Sequence, residues 1–388
     1  VGAPGMKVFL IAGEPSGDRL GAGLMAGLRA LVPGVGFAGV GGPLMQEQGL
    51  DSLFAMQELS VMGLTEVVPK FPALLRRLNQ VAQAALAADP AVLITIDSPD
   101  FCLRVARRVR AARPDLRTIH YVAPSVWAWR SGRAARMARV IDHVLALLPF
   151  EPPLMRAAGM GCTFVGHPVV AEVPATRAEA LAFRAAHGIA ADAPVVLALP
   201  GSRAGEVRRL APVFGDTLRR VLVDHPGLRV VVPTVPGVAG LVHGVVGGWP
   251  GAPVVVEDRA AKAAALACGD AALAASGTVS LELAAAGVPM VIAYRLNWLT
   301  EAMVRRLIRV DTVTLVNLVS ESRAVPEFLG ADCRAKNIAP TLSALIRHGA
   351  GAQAAAMRRT LDRLGRGGED PGLRAARAVL AVISPETR

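Results

Sequence analysis

Apolar residues along this chain come in short unbroken runs, separated by stretches where they recur every three or four positions. The runs at 7–12, 91–96, 117–122, 140–148, 194–199, 229–232, 254–256 and 271–275 have the length of strands buried on both faces of a sheet. Between them lie helical patterns: Leu20, Leu24, Leu28 and Leu31 at one-turn spacing, then 101–112, 260–268 and an Arg-rich tail over 353–382. Most runs end in a turn built from Gly, Pro, Ser or Asp. The grammar of strand, glycine turn and helix is written twice, with a shift to Ala, Glu and Arg after about Val169. An α/β chain of two doubly wound, Rossmann-like domains facing a cleft is therefore expected. The expected boundaries are 1–170 and 171–350, with 351–388 as helices returning to the first domain. A chain of 388 residues is also longer than one core usually grows.

The pattern acquires chemistry at 276–295. Ser276 or Thr278 can cap a helix, Gly287 can end it in the left-handed region and Pro289 prevents its continuation. Its first-turn amides are then unpaired and partly positive, a receptor for phosphate in which Ser276, Gly277 and Thr278 form the cradle. Glu282 is the single charge of that helix, and a buried carboxylate needs donors. A ribose diol would supply two; a local cap or ion pair is the other reading. Arg203, beside Gly201 and Ser202 at another helix start, offers the forked donor array that diphosphate oxygens want. The segments 312–319, which holds Asn317, and 325–327 form a loop able to close on the same ligand.

In the first half, Glu14 and Ser16 stand at the carboxyl end of the first run, where open α/β sheets place their ligands. That turn is not G-x-G-x-x-G, no acid follows the second run near 35–38, and no G-x-x-x-x-G-K-[ST] is present, which argues against an NAD or a P-loop site. Asp18 reads as a helix N-cap. Asp97 and Asp100 close the run 91–96; one of them serves as a general base at the strand's carboxyl end, or both organise the turn. The segment 60–86 is dense in Val61, Met62, Leu64, Val67, Val68, Phe71, Leu74 and Leu75, interleaved with Lys70, Arg76 and Arg77. Such a mixture suits a bilayer surface and equally a core helix with solvated charges; Pro69 and Pro72 are expected to interrupt any long helix there.

Charge narrows the partners. Lys plus Arg number 42 against 31 acids, a net +11, which implies an anionic partner. Aromatics make up 4% and no recognition helix or zinc finger accompanies the charge, so a phosphorylated substrate or membrane lipid is favoured over nucleic acid. Four widely spaced cysteines read as buried reduced thiols, and neither they nor the seven histidines have metal-ligand spacing. Without a visible spanning segment or signal peptide, a cytoplasmic location is expected.

Seven motifs taken in order, Ala-Gly-Glu-Pro-Ser-Gly-Asp, Ile-Asp-Ser-Pro-Asp-Phe, His-Tyr-Val-Ala-Pro-Ser-Val-Trp-Ala-Trp, Leu-Pro-Phe-Glu, Val-Gly-His-Pro, Leu-Pro-Gly-Ser-Arg and Ala-Ser-Gly-Thr with Leu-Glu after it, resemble the lipid-A-disaccharide synthases over nearly the whole chain. The resemblance implies a glycosyltransferase fold of the B type and an inverting, metal-independent reaction that uses no cofactor. UDP-2,3-diacylglucosamine would donate its sugar to 2,3-diacylglucosamine 1-phosphate, giving the β(1→6) lipid A disaccharide and UDP. It further implies Asp97 as the essential aspartate, Glu14 in the first glycine-rich motif, Arg203 on the diphosphate, and Glu282 and Asn317 on the nucleotide. Val67, Val68, Phe71, Leu74, Leu75 and Arg76 would meet lipid at the anionic inner face of the inner membrane, with no nucleic acid as partner and a homo-oligomer left open. The rival is another UDP-sugar enzyme of the same fold, a 2-epimerase or an N-acetylglucosaminyl transferase, against which the Asp97 and Trp127 motifs speak.

Overall fold

The computed structural model describes residues 5–59, 64–126, 132–295 and 311–384, with the side chains of 64–71 outside that set. The chain divides into two compact units, one formed by residues up to Ala171 together with those from Gly367 onward, the other by Glu172–Arg366.

The first unit is built on strands β1 (Lys7–Ala12), β2 (Gly36–Val40), β3 (Val92–Ile96), β4 (Arg117–Tyr121), β5 (His143–Ala146) and β6 (Gly161–Phe164). They form one parallel sheet in the order β2-β1-β3-β4-β5-β6. Alternate residues serve two cores. Phe9, Ile11, Leu93 and Val144 pack with Leu78, Val81 and Ala85 of α3 (Leu64–Ala88) and Val105 and Val109 of α4 (Pro99–Ala112). Val8, Leu10, Ile94, Ile119 and Tyr121 pack with Leu24 and Leu28 of α1 (Pro15–Leu31) and with Ala375 and Val379 near the C-terminus. With both faces covered, each strand must be apolar throughout, which is why it reads as an unbroken run. Each large side chain so buried contributes roughly 1.5–3 kcal/mol.

In the second unit β7 (Val195–Leu199), β8 (Arg229–Pro233), β9 (Val254–Val256), β10 (Ala271–Ala275), β11 (Met290–Tyr294) and β12 (Glu327–Leu329) make a second parallel sheet, ordered β12-β11-β10-β7-β8-β9. Val196, Ala198, Val230, Val232, Leu273 and Val291 pack with Val207, Leu210, Phe214 and Leu218 of the helix Ala204–Asp224. Among the described residues the remaining α-helices are, in chain order, α2 (Pro43–Glu47), α5 (Gly132–Met137), α6 (Glu151–Ala157), α7 (Arg177–Ala186), α8 (Ala204–Asp224), α9 (Ala239–Val246), α10 (Arg259–Ala267), α11 (Val279–Ala285), α12 (Leu315–Ser320), α13 (Ala335–His348), α14 (Ala352–Arg363) and α15 (Pro371–Ile383). The expected α/β class with two doubly wound sheets is what the chain adopts.

Three expectations need correction. Helix α3 runs unbroken through Pro69 and Pro72. Each proline removes one ladder bond, and burial of Leu78, Val81 and Ala85 downstream helps hold the remainder. The tail 353–382 is two helices, and the chain changes unit between them, at 366/367 and not at 350/351. Helix α14 belongs to the second unit because Gln353 pairs with both backbone groups of Met290 (2.9 and 3.1 Å) and Thr360 and Arg363 donate to Val316 and Val319 of α12 (3.1 and 2.7 Å). Helix α15, capped by Asp370, lies on α1 at a crossing so close that a Cβ on Gly27 would stand 2.6 Å from the Gly372 carbonyl oxygen. Finally, Asp18 does not cap its own helix. It is buried in the first turn of α1 and accepts from the Gly42, Leu44 and Met45 amides at 2.9–3.0 Å, capping α2 across the unit.

All four cysteines are buried and unpaired. Among the described residues no helix is long and apolar enough to cross a membrane.

Candidate functional site

In the first sheet the strand order reverses between β1 and β3, and the loops leaving the carboxyl ends of those two strands stand at the usual ligand position of such sheets. Those loops carry Glu14 and Ser16 on one side and Asp97 and Ser98 on the other. They approach so closely that a Cβ at Gly13 would lie 2.8 Å from Ser98 Oγ. Ser16 Oγ donates to Asp97 Oδ2 at 3.3 Å, and the Asp97 amide donates to the Tyr121 carbonyl at 3.0 Å. Asp97 (φ 52°), Ser98 (φ 41°) and Val122 (φ 84°), at the ends of adjacent strands β3 and β4, all take left-handed backbone. For a β-branched valine this is an outlier, and strain of this kind collects where a side chain must be aimed.

In the first turn of α4 the fully buried Cys102 thiol is pushed far above the ordinary range, by burial first, then by Asp97 and, more weakly, by Glu14. Both carboxylates thus act on one atom. Glu14 occupies the N-cap position of α1 and is itself engaged. Asp100 does not cap α4: Ser98 holds the N-cap position, while the Asp100 side chain is 93% exposed and reaches Arg133 only at 4.0 Å. His167 is buried, and its pKa falls to about 4 through burial and the Arg19 charge. Its Nδ1 accepts from the Val169 amide at 3.2 Å, so the neutral ring carries its proton on Nε2.

The second sheet reverses between β7 and β10, and there the sequence-chosen phosphate residues assemble. Pro200–Arg203 follows β7 and Ser276–Thr278 follows β10. Gly201 (φ 123°) and Gly277 (φ 148°) take backbone that L side chains rarely adopt. Arg203 stands at the N-cap of the 21-residue α8, its side chain 59% exposed and 3.6 Å from the buried Glu206. Glu206 in turn accepts from the Ser202 amide at 3.2 Å. Thr278 holds the N-cap position of α11 without spending its hydroxyl on an amide, and Ser276 Oγ donates to the Val313 carbonyl at 3.4 Å. Burial and Glu206 push the Tyr294 phenol up, against the pull of Arg203 and Arg209.

Two expected nucleotide contacts look different in the structure. Glu282 makes a local ion pair, 2.7 Å from Lys262 Nζ of α10. Lys262 was legible as the single charge within the apolar run 260–268, the counterpart of the lone Glu282. Asn317, in α12, is buried and turned onto the segments that flank its helix: its amide donates to the Val325 carbonyl (2.9 Å) and Thr312 Oγ1 (3.2 Å) and accepts from the Val325 amide (3.0 Å). Residues 312–314 are tied to Glu327, which carries no sequence signal beyond its place in the segment 325–327. Among the described residues no group of three His, Cys, Asp or Glu side chains has the arrangement of a metal site.

Residues 8–374 match the family model of lipid-A-disaccharide synthetase. The chain belongs to the lipid-A-disaccharide synthetase family. Relatives named lipid-A-disaccharide synthase include one from Ruegeria pomeroyi, 64% identical over 97% of this chain and 95% of the relative. Another, from Rhodospirillum centenum, is 51% identical over 98% and 95%. Among solved structures, a UDP-GlcNAc 2-epimerase from Neisseria meningitidis bound to UDP-GlcNAc superposes with a TM-score of 0.63 at 10% identity, covering 97% of this chain and 98% of that one. At that identity the likeness is one of fold. For a member of the lipid-A-disaccharide synthetase family the lipid-facing candidates are of interest: Leu74 is half-buried against the first core, Leu75 is half-buried and Arg76 is exposed. The side chains of Val67, Val68 and Phe71, and the residues Trp127, Trp129 and Arg130, lie outside the described residues.

Proposed function

We propose that this chain transfers 2,3-diacylglucosamine from its UDP derivative to 2,3-diacylglucosamine 1-phosphate, forming the β(1→6) disaccharide 1-phosphate and releasing UDP, with inversion and without a metal. Family membership supports the reaction. The observation that carries the assignment of residues is the gathering of Arg203, Ser276, Gly277 and Thr278 at the strand-order reversal of the second sheet. A departing diphosphate needs positive charge and preorganised donors as its bond to the anomeric carbon breaks. The exposed guanidinium, the first-turn amides of α8 and the serine and threonine hydroxyls supply them. Inversion needs a base to take the proton from the acceptor 6-hydroxyl as it attacks. Asp97, half-buried at the reversal of the first sheet with Ser16 fixing one oxygen, is assigned that role, and Glu14 is assigned to the same rim. Glu282, with Lys262 as its partner, is assigned to the nucleotide's ribose, and Asn317 to holding the loop beside it.

Titration with UDP tests the assignment. Arg203→Ala and Glu282→Ala should each weaken binding by ~1–3 kcal/mol, roughly 5- to 150-fold, since each strips a charged partner from the ligand. Unchanged affinity in both variants would move the nucleotide elsewhere.

The acyl substrates and the net charge of +11 support peripheral contact with an anionic cytoplasmic membrane face through the first half of α3. Replacing Arg76 by Glu together with Leu75 by Ser should reduce salt-sensitive pelleting with anionic vesicles while leaving UDP affinity intact. Equal pelleting would assign this stretch to the core alone.

A further inference from the structure

One carboxylate of the second unit is surrounded by donors to an extent that its place at a sheet edge does not require. Glu327 opens β12 and is registered opposite Ile292 of β11. Its Oε1 accepts from Thr312 Oγ1 at 2.7 Å, from the Val313 amide at 3.0 Å and from the Thr314 amide at 2.6 Å. A side-chain carboxylate thus gathers two successive backbone amides of a loop that has no strand partner. With those two N–H groups turned toward Glu327, the Val313 carbonyl is left to receive Ser276 Oγ at 3.4 Å. Asn317, in the helix α12 that follows the loop, donates to Thr312 Oγ1 and engages both backbone groups of Val325, two residues before Glu327. The imposed shape has a cost: Thr314 Oγ1 is buried and has no hydrogen-bond partner among the described residues, a condition that buried hydroxyls seldom tolerate.

We infer that Glu327 is a positioning residue of the donor site, which fixes loop 312–314 and through Val313 sets where the Ser276 hydroxyl and its phosphate-facing turn stand. The inference rests on the assignment of UDP to that turn. Glu327 touches no substrate itself; it acts through the loop, whose charge-assisted bonds hold a rim that would otherwise have to be ordered by the ligand at the expense of affinity.

The test compares Glu327→Ala and Glu327→Gln with Arg203→Ala, measuring the UDP dissociation constant, donor and acceptor KM, kcat and melting temperature. Glu327→Ala should raise both the UDP dissociation constant and the donor KM by about tenfold or more, the change expected from roughly 1.4 kcal/mol of lost pre-organisation. Acceptor KM should stay put, and kcat at saturating donor should hold within about threefold. Glu327→Gln, which keeps an acceptor oxygen in place, should recover most of the affinity. A residue with only a structural part would lower the melting temperature and leave the UDP constant unmoved, and that result overturns the inference. If Arg203→Ala weakens UDP while Glu327→Ala does not, the inference falls alone; if neither does, the nucleotide assignment falls with it. Should Glu327→Ala not fold, Thr312→Val removes one of the three donors and must weaken UDP about threefold, equal affinity there counting against the proposal.

Discussion

Asp97→Asn is expected to lose about 10²–10⁴ of turnover, while binding UDP and melting like the parent. The separation of effects follows from its surroundings. Asparagine tolerates left-handed backbone as readily as aspartate, so the φ of 52° and the amide bond to Tyr121 survive the change. An amide oxygen still accepts from Ser16, whose hydroxyl lies 3.3 Å from the native carboxylate. Only the capacity to take a proton is removed. Asp100→Asn is the matched control: that side chain is 93% exposed and caps nothing, so both rate and stability should stay near the parent, within about 0.5 kcal/mol. Initial rates with both acylated precursors decide the matter. A rate within a few-fold of the parent for Asp97→Asn would take this residue out of the mechanism and leave Glu14 as the remaining rim carboxylate. His167, neutral with a pKa near 4 and an Nδ1 already occupied, is the weaker substitute.

For stability the largest single loss is expected from Asp18→Ala. Its carboxylate satisfies three amides at the start of α2. Truncation leaves those donors and the space around them unfilled in a buried setting. Buried donors stranded by such a truncation sum to roughly 3 kcal/mol or more. In a unit of roughly 200 residues that lowers the melting temperature by about 6–12 °C. Asp18→Asn keeps the shape and one acceptor and should fall between. Thermal unfolding monitored by circular dichroism is the measurement; an alanine variant melting within about 2 °C of the parent would show that water replaces the carboxylate at no loss.

The sheets were legible because both of their faces are buried. A strand covered on each side by helices has no solvent-facing position to break its apolar run, so Val92–Ile96 or Val195–Leu199 can be read directly. The rims were legible because glycine turns and caps are local chemistry, and Arg203, Ser276 and Asp97 stand where the turns put them. What escaped was set by partners distant in sequence. Asp18 looks like a cap for the helix it sits in, and only the return of the chain at 42–45 makes it the cap of another. Glu282 is isolated along its own helix and acquires Lys262 only when α10 and α11 are brought together. Helix α3 defeated a reading based on proline because the penalty at Pro69 and Pro72 is local, whereas the burial that offsets it lies downstream.

The crossing of α15 on α1 bears on synthesis. The first unit is closed by residues beyond Gly367, so the second is in effect an insertion within it. On the ribosome, the face of α1 around Gly23 and Gly27, on which α15 lies, emerges early, and its partner follows only after Glu172–Arg366 has been made. At 5–20 residues per second that delay is about 10–40 s, far longer than the time in which a helical stripe collapses onto something apolar. The middle of the nascent chain can fold before its beginning is complete. The face of α1 around Gly23 and Gly27 therefore stays uncovered until the last residues of its unit have been made.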